Sequence, residues 1–191
     1  MRKKVNYVKQ QRYAETLDKL NRAVRNDFYY EAIMLDYALI EDRLYEMLYY
    51  LGILSRNTAS SSVSKRIRKD LRSLLNLKPA GHFCISKMQV RLDILKEISK
   101  YHGDSLYFQD LQNTIAKRIG VEGLCTYVQN LEDWKNARNI LVHDLMNQVT
   151  LETEKTAELA VNGKALFREL DKYCRRIENC DIRKKYKIQP Y

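Results

Sequence analysis

The stretch AIMLDYALI, residues 32–40, is apolar or aromatic at every position but Asp36. Nine residues are too few for a membrane span, which needs about 18 or more, yet a helix made of them is apolar nearly all round. Such a helix must be covered on several sides, by neighbouring helices or by another subunit. Working outward, the helix is expected over residues 28–51, where Asn26 or Asp27 can accept from the free N–H groups at its start and Gly52 can take the left-handed stop. A helix over 7–24 precedes it. Downstream, RNTASSSVSK (56–65) reads as a loop, because Asn, Thr and Ser side chains compete with the helical backbone. A short basic helix is expected over 63–75, before Pro79 and Gly81. Ser86 with Gln89 makes a capping box opening a helix to about residue 100. Further helices are expected over 105–119, 123–146 and 151–179, with Gly120 and Gly123 interrupting the pattern. Six or seven helical segments with no convincing strand and no repeat read as an all-α multi-helix bundle. It forms one domain over 1–191 with a basic tail at about 180–191.

Composition narrows the function. At 191 residues the chain is one ordinary domain. Its 45% hydrophobic and 30% charged content excludes disorder, and no apolar run approaches a membrane helix, so no membrane partner is expected. Two Pro and six Gly are few, which favours helices. A net charge of +10 points to an acidic partner, nucleic acid first. Cys84, Cys125, Cys174 and Cys180 show no C-x-x-C spacing, and His82, His102 and His143 do not flank them as zinc ligands would, so no metal site and no cofactor are expected. The N-terminal MRKKVNYVKQ lacks the apolar core of a signal peptide, so the chain is expected in a reducing cytoplasm with free thiols.

The stretch that can carry chemistry is WKNARNILVHDLM, residues 134–146, with Arg138, Asn139 and His143 in the order R-N-x-x-x-H. On a helix Asn139 and His143 share a face, and Arg138, about 100° round from Asn139, can reach the same point with its long side chain. With 16 Arg, 12 Asn and 3 His, composition alone expects an Arg with a His five on about 0.25 times. Requiring Asn after the Arg lowers that to about 0.016. The full triplet is therefore moderately specific.

Here the sequence resembles the HEPN family (higher eukaryotes and prokaryotes nucleotide-binding domain), helical bundles whose ribonuclease members carry R-x(4–6)-H, commonly with a polar residue after the Arg. The motif lies late in the chain, before one more long helix, as in that family. The resemblance implies RNA cleavage without metal by a homodimer whose two motifs face one cleft. It also implies a role as a toxin or antiviral-defence effector, with an antitoxin or regulatory protein as a partner. Leu145 stands where some HEPN toxins carry a Tyr that accepts AMP.

The chemistry stands apart from the name. Cleavage of RNA through its own 2′-OH needs a base for that hydroxyl, an acid for the departing 5′-oxygen and positive charge for the phosphorane. Imidazole titrates near ~6.5, so a neutral and a charged copy coexist at neutral pH. One chain offers one such His in the motif, and a two-fold dimer supplies the second. Arg138 would bind the scissile phosphate, Asn139 would orient phosphate or imidazole, and His143 would move the proton. Asp144 can tune His143. Asp36, an acid among apolar neighbours, needs a partner, with Arg138 or Arg43 as the candidates. Lys65, Arg66, Arg68, Lys69 and Arg72 can grip RNA phosphates, as can the basic tail, though a charge run is also what a solvated surface shows.

Three other readings compete. Arg138 can close a salt bridge while His143 caps a helix end. The chain can be a catalytically silent HEPN-like bundle that binds nucleotide or protein. Finally, TIAKRIGVEGL, from Thr114 to Leu124 and opening a candidate unit that runs to Leu131, has the Ala116, Gly120 and Val121 spacing of a DNA-binding helix-turn-helix. Its second half fits less well, since Thr126 and Gln129 fall where packing residues belong.

Overall fold

The fold is taken from a computed structural model that describes residues 2–55, 62–63, 67–76, 84–147 and 153–188. Among them are eight helices: α1 (Arg2–Arg25), α2 (Tyr29–Tyr50), α3 (Arg68–Leu74), α4 (Met88–Ser99), α5 (Leu106–Arg118), α6 (Val121–Met146), α7 (Thr153–Glu178) and α8 (Ile182–Lys185). The protein is all-α, as its sequence reads. A small departure is the antiparallel pairing of β1 (Leu54–Ser55) with β2 (Ser62–Val63), Leu54 opposite Val63. Val63 therefore belongs to a ladder, and the short basic helix starts later, at Arg68.

The helix ends follow local chemistry, with two corrections. Gly52 takes φ +80°, donating from its N–H to Tyr49 O at 2.9 Å while Ile53 donates to Leu48 O at 2.9 Å. This is the glycine stop that the sequence predicts. Asp27, one of the two residues expected to cap α2, instead adopts φ +60° and ends α1, with Phe28 N donating to Ala23 O at 2.9 Å. Its carboxylate accepts from the Tyr29 hydroxyl at 2.5 Å. The capping box does not form either. Lys87 is the N-cap of α4, so Gln89 falls one position short of where a box needs it. Ser86 Oγ meets Cys84 Sγ, and the Gln89 amide donates to Asp93 and Glu132.

The chain groups into two compact units, Met1–Asp42 with Asp133–Arg168 and Arg43–Glu132 with Glu169–Tyr191, divided within α2, α6 and α7. The first unit buries Leu20, Ile33, Ile40, Trp134 and Phe167. Within its 32–40 stretch Ala32, Ile33, Asp36, Leu39 and Ile40 are buried, whereas Met34 is 50% exposed. The second unit packs α4 against α3 and α5, over Leu95, Phe108, Leu111 and Tyr127.

The basic tail, expected as a phosphate grip, is folded into the second unit. Ile182 and Ile188 are buried. Arg183 donates to Tyr49 O at 2.8 Å and Leu54 O at 3.1 Å, its guanidinium carbon 4.2 Å from the centroid of the Tyr49 ring. Lys185 pairs with Asp110 at 2.5 Å, and the Tyr186 hydroxyl donates to the same carboxylate. Those two hydrogen bonds, Lys185 first, hold the Asp110 carboxyl below its ordinary range. Two of the tail's charges are thus committed to carbonyls and a carboxylate.

Candidate functional site

The last three turns of α6 belong to the first unit and present the R-N-x-x-x-H motif. Arg138 is half-buried, turned onto α2. Its guanidinium carbon lies 4.5 Å from the centroid of the Tyr37 ring, Nη2 is 3.1 Å from Met34 Sδ, and Nη1 donates to Asn139 Oδ1 at 3.2 Å. Nε is buried without a hydrogen-bond partner. No described carboxylate pairs with this cation, so the salt-bridge reading of Arg138 is not realised.

His143 stands in the open, its side chain 77% exposed. Asn147 Nδ2 is 3.0 Å from Nδ1 and 3.4 Å from Nε2 of the imidazole, and Asp144 Oδ1 lies 3.8 Å from Nδ1. Five helical residues turn Arg138 and His143 about 140° apart round the axis. Accordingly, Arg138 and Asn139 are brought together, while no hydrogen bond joins His143 to either. Asn139, His143 and Asn147 instead form a row at four-residue spacing along the exposed face, with Ile140 beside them at 63% exposure. Sequence reading missed Asn147, although its position four residues after His143 was the available signal.

Asp36 is completely buried, and neither Oδ1 nor Oδ2 has a hydrogen-bond partner. Neither candidate partner, Arg138 or Arg43, donates to it, and Arg43 pairs with Asp171 at 3.6 Å. A Cβ built on Gly163 would lie 2.8 Å from Asp36 Oδ2 and 2.7 Å from Trp134 Cζ2, so the carboxyl and the indole both press close on α7 at this glycine. Trp134, one turn below Arg138, packs against Gly163 beside the Asp36 carboxyl. Burial pushes the Asp36 carboxyl up to about 8, against an opposing pull from Lys164. Trp134 itself is fixed by donating Nε1–H to Leu159 O at 2.9 Å.

Of the basic residues proposed to grip RNA, Lys65, Arg66 and the side chain of Arg68 lie outside the described residues, Lys69 is exposed on α3 and Arg72 is half-buried. The stretch running from Thr114 to Leu131 does form helix, turn and helix, with Gly120 at φ +95°. Leu124, Val128 and Leu131 are buried, whereas Thr126 and Gln129 are exposed, so the packing face of α6 is not the one a helix-turn-helix requires. Among the described residues no cluster of three His, Cys, Asp or Glu is placed to hold a metal, and no helix is long and apolar enough to cross a membrane. No family model matches the chain, and no curated protein or solved structure matches it.

Proposed function

We propose that the protein is a HEPN-type endoribonuclease that cleaves RNA by attack of the 2′-OH, leaving a 2′,3′-cyclic phosphate, without a metal and as a homodimer. The observation that carries this reading is the state of Arg138: a half-buried guanidinium held by an aromatic ring, a thioether and an amide, with no carboxylate to neutralise it. A cation kept in that state is a ready partner for phosphate, which its planar fork binds in two places. The exposed imidazole of His143 supplies a proton donor or acceptor, positioned by Asn147.

Within one chain His143 and Arg138 face different ways, and one imidazole cannot be both base and acid in one step. A second copy answers both needs. Met34 and Ile140, exposed apolar side chains flanking Arg138 and Asn139, supply a surface for it. Lys69 and Arg72 are candidates for contacts along the RNA, and the net charge of +10 favours the encounter. The HEPN resemblance implies service as a toxin or antiviral-defence effector under an antitoxin or regulatory protein.

The test is cleavage of a mixed-sequence single-stranded RNA in EDTA, with analysis of the product ends. The wild type is expected to cut and leave cyclic phosphate, and His143→Ala to be slower by about 10²–10⁴-fold. Equal cutting by both proteins, or cutting by neither, overturns the reading.

A further inference from the structure

We propose that Tyr37 is a positioning residue, its ring fixing the guanidinium of Arg138 so that the rest of the donor fork stays available to an anion. This rests on the reading of Arg138 as a phosphate ligand. A half-buried cation is ordinarily settled by a carboxylate, and α2 carries one next to Tyr37. That carboxylate, Asp36, is fully buried beside Gly163 and makes no hydrogen bond to the guanidinium. What meets the guanidinium instead is neutral: the Tyr37 ring at 4.5 Å, Met34 Sδ at 3.1 Å and Asn139 Oδ1 at 3.2 Å. The negative face of an aromatic ring attracts a guanidinium and orients its plane while leaving its full charge in place. A carboxylate at the same position would hold the group equally well but would compete with phosphate for the same N–H donors. The buried Nε, with no hydrogen-bond partner, marks the side of the fork turned inward. The cradle therefore restrains rotation without spending the charge.

The closing experiment reads the free protein and the bound one separately. In the free protein the Arg138 Nε–H resonance, identified by its loss in Arg138→Lys, is expected to exchange slowly and to carry a ring-current shift. Tyr37→Phe should keep both features and Tyr37→Leu should remove them. Affinity for an uncleavable 2′-O-methyl oligoribonucleotide should stay within about twofold in Tyr37→Phe and fall about 2- to 30-fold in Tyr37→Leu. A pentafluorophenyl ring at position 37, which keeps the shape and withdraws the ring's negative face, should weaken binding as Tyr37→Leu does, and it serves if that variant fails to fold. An Arg138 resonance and an affinity indifferent to both ring changes would overturn the proposal. If the resonance responds but no protein binds the oligonucleotide, the hold of Tyr37 on Arg138 stands and the ribonuclease reading falls.

Discussion

Asp36 holds a carboxyl that burial pushes up to about 8 in the folded protein, against about 3.9 for an unfolded Asp. Between those two values the folded state binds a proton that the unfolded state has released, so stability is greatest below about pH 4 as far as this group is concerned and declines as pH rises towards 8. The decline is at most ~1.4 kcal/mol per pH unit. Urea midpoints measured from pH 4 to pH 8 should fall more steeply for the wild type than for Asp36→Asn, and parallel curves would refute the protonated carboxyl. The sequence showed that this acid needed special treatment, because its helical neighbours are apolar. It did not show which treatment, since Arg138 and Arg43 were both candidates and the folded chain gives the carboxyl a hydrogen bond from neither. The same holds for Arg138, whose real partners, Tyr37 and Met34, lie about a hundred residues away in sequence.

At the scale of elements, two helical glycines make opposite predictions. In α7 a Cβ on Gly163 would lie 2.7 Å from the Trp134 ring and 2.8 Å from Asp36. Overpacking of about 1–3 kcal/mol exceeds the ~1 kcal/mol that alanine gains in helix propensity, so Gly163→Ala should destabilise. Gly123, in the first turn of α6, has Tyr173 Oη at 3.8 Å as its nearest neighbour, so Gly123→Ala should stabilise by about 0.5–1 kcal/mol. Thermal or urea unfolding of the two variants checks the pair, and a shared direction would contradict the packing described. Helix positions were legible to within a few residues because apolar spacing and glycine stops are local signals. The failed capping box and the turn at Asp27 were not, because one residue of register decides whether a side chain faces a free N–H group.

For the molecule as a whole, the proposed ribonuclease reading makes association the decisive property, and Met34 and Ile140 are exposed apolar residues beside the motif. Light scattering at micromolar concentration is expected to show a dimer. Ile140→Lys, which places a charge on a 63% exposed apolar position, should raise its dissociation constant about tenfold or more. It should reduce cutting in step with the loss of dimer while leaving the monomer's unfolding midpoint unchanged. A monomeric wild type that cuts RNA would remove the composite site. The amino-acid sequence by itself determined the all-α class, the approximate helices, the basic charge and the R-N-x-x-x-H triplet, because composition and periodicity along a chain are enough to specify them. Tertiary structure alone decided that Arg138 rests on Tyr37, that Asp36 is buried without a partner, and that the tail's Arg183 and Lys185 are committed to the fold. Each depends on which faces of distant helices meet, and that is set by packing across long separations in sequence.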